Sequence, residues 1–425
     1  MRISIPYGKA QKYFEVEDAR VQGILRAKDC PRSPILEADI VRASLSNPIG
    51  SQPLRELVRG RRRITVITSD HTRPLPSRVT MPILLEEIRA GNPEAEITIL
   101  IATGMHRSST ADEISSRFGE RIAAEERIVV HDAYDEAGLV SLGKTPSGLD
   151  VAINRLAADC DLLVAEGFIE PHFFAGFSGG RKAVMPGVAG CRTVLGNHCA
   201  ERIADRGARA GVLDGNPIHE EMLAAARMAN LAFILNVALD SDKRIVASFA
   251  GDLDAAHRKG CDFCLGLAGA RALPADIVVT GNGGYPLDQN IYQTVKCMTT
   301  AAATASPGGV IVVAAECIDG HGGEAFYDTF AGNPSPDGVL REILARGRGE
   351  TIADQWQTQI FVQILAKHRV VMVTSLDPEM IEHMGMTPAD SIGEALEVAE
   401  TLLENSKTKP SITVVPDGVS VIVQV

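Results

Sequence analysis

Positions 171 to 182 read PHFFAGFSGGRK, which sets a histidine, a run of small residues, an arginine and a lysine within a dozen positions. Two further histidines, His106 in ATGMHR and His198 in GNH, also stand beside glycine-rich or small-residue sequence near an expected turn. Imidazole titrates close to neutral pH and binds metals when uncharged. Three such groups therefore admit two chemistries, a metal site or an acid/base pair with one ligand. A zinc hydrolase would satisfy the count. AGFSGGRKA also resembles a phosphate loop, because glycines let backbone N–H groups approach an oxyanion and cations neutralise it. It lacks the nucleoside-triphosphatase spacing, since Arg181 intervenes before Lys182 and Ala183 follows where Ser or Thr would hold magnesium. A small-phosphate or mononucleotide site and a plain structural turn both remain open from these residues alone.

The elements that must carry these groups are legible. RITVITSD (63–70), EITILIATG (96–104), CDLLVAEG (160–167), ADIVVTGNG (275–283), GVIVVAAEC (309–317) and RVVMVTS (369–375) are short β-rich runs, each followed by a turn and a helical pattern. Apolar residues return every three or four positions over 77–91, 216–228, 252–270, 290–304, 353–367 and 387–404. Alternation of this kind predicts α/β architecture, with mostly parallel sheets flanked by helices. Ligands of open α/β sheets bind beyond the strand carboxyl ends. Asp70 and Arg73 follow the first strand there, His106 and Arg107 the second, and His172 the third.

A chain of 425 residues exceeds one ordinary core and predicts two domains. The boundary falls after Ala270, where RALPAD leads into a fresh strand, giving an N-terminal domain over 1–270 and a C-terminal domain over 271–407. The closing SITVVPDGVSVIVQV reads as a hairpin around Pro-Asp-Gly, and residues 408–425 could complete the first domain. No repeat of fixed period and no low-complexity segment is visible.

A formal net charge of -12 argues against nucleic acid or an anionic membrane as partner. RGRRR at 59–63 is the one dense basic cluster and reads as a solvated strand entry. No long apolar segment occurs and MRISIPYGKA lacks the apolar stretch of a signal peptide, so a cytoplasmic location is expected. Eight scattered cysteines predict reduced thiols, and CDFC at 261–264, inside a helical pattern, predicts core packing. GNGGYP at 281–286 lacks the last glycine of a dinucleotide loop, and HEEML at 219–223 lacks the second histidine of a zinc-protease helix. His71, His131, His219, His257, His321, His368 and His383 lie in polar, helical or loop contexts where a surface role is the default.

DHTRP (70–74), ATGMHR (102–107), PHFFAGFSGGRKAVMPGVAG (171–190), GNH (196–198) and GGYPLDQNIYQTVK (283–296) resemble the lactate racemase family. The resemblance runs from YGK at 7–9 to the PDG near the end, so it covers essentially the whole chain, and the motifs are long and unusual. It implies a nickel-pincer nucleotide, a pyridinium mononucleotide bearing nickel between two thio-substituents and the ring carbon. By resemblance Lys182 holds that cofactor covalently through a thioamide, Ser178, Gly179, Gly180 and Arg181 surround its phosphate, and His198 is the protein's nickel ligand. His106 and His172 match the two acid/base histidines. Arg73, Gln293, Lys296 and Trp356 match positions lining the substrate site, and Asp70 is expected to orient a neighbouring histidine or Arg73.

The implied reaction inverts C2 of a 2-hydroxy acid. One histidine takes the hydroxyl proton while the C2 hydrogen leaves as hydride to the cofactor, and a transient 2-keto acid reorients before the hydride returns to its other face. A hydride route has a motive, since the C2 proton of a hydroxy carboxylate is too weakly acidic for side-chain bases unaided. Lactate is the first expectation; other short aliphatic acids, malate, aromatic hydroxy acids and sugar acids share the chemistry. The family also implies separate cofactor-making enzymes as partners and an active site in the cleft between the domains. The rival readings are a histidine-site metal hydrolase with activated water, and a non-catalytic protein that binds the cofactor or a hydroxy acid.

Overall fold

The computed structural model describes residues 1–28, 30, 34–332, 335–403 and 409–424. The chain forms two compact units, one of Met1–Lys28, Cys199–Asp205 and Leu267–Val425, the other of Asp29–His198 and Arg206–Gly266. Each holds a six-stranded sheet.

In the unit of Asp29–His198 the strand order is Ile245–Gly251, Leu231–Leu239, Leu162–Phe168, Arg63–Ser69, Glu96–Ala102, Arg127–Val130. Only the first pair is antiparallel. Arg63–Ser69 is β-branched and buried through five consecutive positions, the pattern of a strand covered on both faces. The helix Ser77–Gly91 turns Met81, Leu84, Leu85 and Ile88 onto it, and these pack with Val66, Ile99 and Val164. Burial of each such side chain is worth about 1.5–3 kcal/mol. The chain runs from the central Arg63–Ser69 outward to Arg127–Val130, then returns to place Leu162–Phe168 on its other side. That reversal opens a crevice at the carboxyl ends of Arg63–Ser69 and Leu162–Phe168.

The other unit's sheet is parallel throughout, in the order Thr387–Ala389, Arg369–Val373, Ala305–Ala314, Ala275–Gly281, Ile412–Val415, Val21–Ile24. All six strands expected from sequence form, as do helices over Pro217–Met228, Ala255–Ala268, Ile291–Ala302 and Gln355–Leu365. The helix expected over 387–404 begins at Ile392, because Thr387–Ala389 joins the sheet edge, and its expected end at 404 lies outside the described residues.

Two expectations about organisation give way. Residues 1–28 belong with the C-terminal sheet: the hairpin Arg2–Tyr7 with Ala10–Glu15 buries Ile3, Ile5 and Phe14 against Ile277, Val279 and Val312. The terminal stretch is no hairpin and does not complete the N-terminal unit. ITVV is buried at every position and slots in parallel between Ala275–Gly281 and Val21–Ile24, while Ile422–Gln424 pairs in parallel with Gly269–Arg271. The Pro-Asp-Gly turn docks onto the sheet instead, Gly418 N donating to Gly281 O at 2.9 Å and Thr300 Oγ1 to Gly418 O at 2.6 Å. The expected boundary at 407 lies outside the described residues.

The basic run behaves as expected: Arg59, Arg62 and Arg63 are exposed and pair with Glu56, Glu96 and Asp161. Cys261 and Cys264 are buried, the latter donating to Ile169 O, and burial pushes its thiol up to about 12. Among the described residues no helix is long and apolar enough to cross a membrane.

Candidate active site

The loop after Arg63–Ser69 delivers Asp70, 2 % exposed, whose Oδ2 accepts from His106 Nδ1 at 2.8 Å. Its Oδ1 accepts from the Thr72 hydroxyl at 2.6 Å and the Thr72 amide at 3.2 Å. Burial works to raise this carboxyl; the bonds from His106 and Thr72 overcome it, so it ionises below the usual carboxylate range. Arg117 clasps the loop from below, donating to the carbonyls of Asp70, Arg73 and Leu75. Because Nδ1–H of His106 is committed to Asp70, the neutral ring carries its lone pair on Nε2, the form of a base.

His172 is held the other way round. It lies on a two-residue strand paired with Gly176–Phe177, and its Nδ1 accepts from the Ala175 amide at 3.2 Å. A neutral ring that accepts at Nδ1 must carry its proton on Nε2, the form of an acid. That Nε2 stands 3.2 Å from Lys182 Nζ. Phe173 stacks on the His172 ring and Phe174 meets it edge-on, with centroids at 5.1 and 4.5 Å. The Lys182 ammonium position is 5.9 Å from the Phe174 centroid.

The turn between them is built from inside. Arg181 is fully buried; its guanidinium donates to Ala175 O at 2.6 Å and Phe177 O at 2.8 Å, with Gly179 O at 3.3 Å. Burial lowers its pKa to about 10. His257 Nε2 lies 2.8 Å from Ser178 O, and Asn236 Oδ1 accepts from the Gly180 amide at 2.7 Å. Ser178 Oγ bridges the Glu170 amide and Phe168 O. Gly179 and Gly180 have φ of 74° and 54°, and a Cβ on either would come within 2.7 Å of Asn236 or His257. Ser178, Gly180 and Arg181 were expected around a phosphate. Here the Ser178 hydroxyl, the Gly180 amide and the Arg181 guanidinium all bond within the protein. The next turn meets the His106 loop, Gly104 N donating to Gly187 O at 2.9 Å.

His198 caps the helix Cys191–Asn197 and is buried, its Nδ1 donating to Val194 O at 3.0 Å. Burial pushes its pKa down to about 3. The ring is neutral with its lone pair on Nε2, the state a metal ligand needs. Among the described residues no three His, Cys, Asp or Glu side chains group to hold a metal, so the three-ligand site of a zinc hydrolase is not formed there. Arg73 is exposed and donates to Thr72 Oγ1 at 3.2 Å.

The C-terminal unit holds its own cluster. Lys296 Nζ donates to Gln293 Oε1 at 2.7 Å on the helix Ile291–Ala302, whose N-terminus is capped by the Asn290 side chain. The same helix carries Tyr292, which donates to Asp354 Oδ1 at 2.7 Å and also hydrogen-bonds with the Trp356 side chain. Sequence reasoning passed over Tyr292; its place four residues before Lys296, on the same helical face, was the available signal. The surface default also fails for four histidines. His131, His219, His257 and His368 are buried, because each lies on a helix, strand end or loop covered by packing. His131 is bonded at both nitrogens, by Ala189 O and Asn154 Nδ2.

His106 and His172, neutral rings of opposite tautomer, both follow strands of a doubly wound sheet at its carboxyl edge, where enzymes of this architecture hold small molecules. Comparison with known proteins narrows that class. Residues 7–211 match the family profile for the lactate racemase N-terminal domain, and residues 270–423 that for the C-terminal domain. The lactate racemase of Thermoanaerobacterium thermosaccharolyticum is 53 % identical over 424 residues, 99 % of either chain. That of Lactiplantibacillus plantarum is 48 % identical over 99 % of either chain. The structure of the T. thermosaccharolyticum lactate racemase apoprotein superposes with a TM-score of 0.96 over 100 % of both chains. A Thermotoga maritima protein, 16 % identical with a TM-score of 0.63 over 92 % of this chain, shares the fold. The chain belongs to the lactate racemase family, and is thereby a racemase, an isomerase.

Proposed function

We propose that this protein interconverts the enantiomers of a short 2-hydroxy acid, lactate first among them, in the cytoplasm, with a nickel-pincer nucleotide bound covalently at Lys182. The observation that carries the reading is the opposed setting of the two imidazoles, His106 with its proton toward Asp70 and His172 with its proton toward Lys182. The residues fit the cofactor at two points: Lys182 offers an amine beside His172, and His198 offers a neutral imidazole for nickel. Ser178, Gly179, Gly180 and Arg181 serve it by building the turn that presents Lys182. When bound, the cofactor supplies a hydride acceptor and donor for C2.

The protein's own groups manage the protons. His106 Nε2 takes the proton of the substrate hydroxyl, and Asp70 stabilises the imidazolium that results. His172 Nε2–H returns a proton to the carbonyl oxygen of the keto acid once it presents its other face. Starting from the opposite enantiomer, the two histidines exchange roles. Arg73 is assigned to the substrate carboxylate, a charge that needs a local positive site in a protein of net charge -12, and Lys296, bonded to Gln293, is the corresponding candidate on the C-terminal unit. Trp356 and Tyr292 shape that cluster. The test is an intact-mass measurement on protein from cells that make the cofactor, followed by a chiral assay. A nickel- and sulfur-bearing adduct on the Lys182 peptide, together with racemisation, is expected; an unmodified Lys182 in an active enzyme overturns the cofactor assignment.

A further inference from the structure

We infer that the cofactor-free protein holds Lys182 as a neutral amine, kept in that state by His172, so that the chain itself prepares the nucleophile for an electrophilic acyl or thioacyl carbon. The inference rests on the reading of Lys182 as the covalent anchor and goes beyond it by assigning His172 a part in loading.

The Ala175 amide points at His172 Nδ1 with 3.2 Å between the nitrogens, and an amide N–H can only donate. Nδ1 therefore carries a lone pair, which places the ring proton on Nε2. Lys182 Nζ is 3.2 Å from that Nε2. An ammonium has three donors and no acceptor, so an ammonium facing Nε2–H would set two donors against each other. The contact becomes a hydrogen bond when the lysine is an amine whose lone pair accepts from Nε2–H.

Burial acts in the same direction, opposed by the Phe174 face 5.9 Å from Nζ, which favours a cation. Phe173 and Phe174 wall the His172 ring, and Lys182 is itself partly buried, which penalises the charged form. His172 and the buried His198, with its Nδ1 on Val194 O, are among the ionisable groups near Lys182.

The fold also explains why His172 holds this tautomer. Arg181 gathers the carbonyls of Ala175, Phe177 and Gly179, and this fixes the backbone that aims the Ala175 amide at Nδ1. Lysine and its activator are thus set by the residue that precedes the lysine.

The test uses the full chain made without cofactor, treated briefly with the N-hydroxysuccinimide ester of acetic acid and read by peptide mass spectrometry. In this reaction Nζ bonds the ester carbonyl carbon, the ester C–O bond breaks, and N-hydroxysuccinimide departs with the proton that nitrogen sheds. Nα-acetyl-lysine amide added to the same reaction is the reference, and its rate should rise about tenfold per pH unit between pH 7 and 9, well below the ordinary lysine pKa near 10.4. Lys182 is expected to acetylate at a rate nearly independent of pH over that range, and His172→Ala is expected to restore the tenfold rise. Selective ¹⁵N labelling of histidine gives a second readout, in which His172 shows the Nε2–H form and His106 the Nδ1–H form. A Lys182 rate that climbs in step with the free lysine reference, no acetylation of Lys182 at either pH, or a flat profile that survives His172→Ala overturns the inference. A flat profile in a protein that never acquires the adduct would leave this inference standing and remove the cofactor reading.

Discussion

Asp70 Oδ2 stands 2.8 Å from His106 Nδ1, and this contact decides which nitrogen of the ring can act as base. Asp70 can do so because it is buried, bonded by Thr72, and carried on a loop that Arg117 clamps at three carbonyls. Asp70→Asn keeps the shape and weakens the preference for Nδ1–H. We expect kcat to fall about 10- to 100-fold with KM little changed, the scale of lost orientation at a histidine. Two enantiomers have equal free energy in water, so kcat/KM must fall by one factor in both directions; steady-state rates from each enantiomer check this.

The same carboxyl makes folding sensitive to acid. Its pKa is depressed in the folded protein, so the stability it contributes is complete above its unfolded value, about 3.9, and is lost as pH falls through the lower folded value. Urea denaturation at pH 6 and at stepwise lower pH should show wild type and Asp70→Asn converging below about pH 4. A stability gap that widens with acid would contradict the assignment.

Arg181 offers a prediction that separates a strut from a ligand. Arg181→Lys keeps the charge but cannot span the carbonyls of Ala175, Phe177 and Gly179. Each buried carbonyl left without a donor costs about 1–3 kcal/mol, so the cofactor-free variant should unfold at clearly lower denaturant. Unchanged stability with lost cofactor retention would make Arg181 a phosphate ligand after all.

Lys296, bonded to Gln293, is the C-terminal unit's candidate for the substrate carboxylate, and Lys296→Met should raise KM for the hydroxy acid by about 10-fold or more, as expected for losing a charge-assisted hydrogen bond of about 1.5–3 kcal/mol. Intact mass should show the Lys182 adduct unchanged. A variant with normal KM would release Lys296 from that role.

How far the sequence could be read follows from the physics of each segment. Apolar β-rich runs such as RITVIT, EITILIA and DLLVAEG predicted buried strands, and their carboxyl ends predicted where Asp70, His106 and His172 would emerge. The terminal ITVV misled because a Pro-Asp-Gly turn is the mark of a hairpin, and only the tertiary register shows that its strand continues a parallel sheet. The N-terminal hairpin joins the distant C-terminal sheet through Ile3, Ile5 and Phe14, a long-range choice without a local signal. In the site, the composition of GGRK left a phosphate cradle and a plain turn both open. Asn236 and His257 press on its glycines, a contact which no spacing within the motif reveals. The buried His131, His219, His257 and His368 were lost for the same reason, since polar neighbours in sequence say little about packing in space.

The central claim is that C2 is inverted without surrendering its hydrogen to water. The measurement that tests it most directly follows L-lactate deuterated at C2 through the cofactor-loaded enzyme in ordinary water, with chiral separation and mass analysis of both enantiomers. The account predicts D-lactate that retains its deuterium. D-lactate formed with the label washed out to solvent would contradict it, and would move the reaction to proton abstraction at C2.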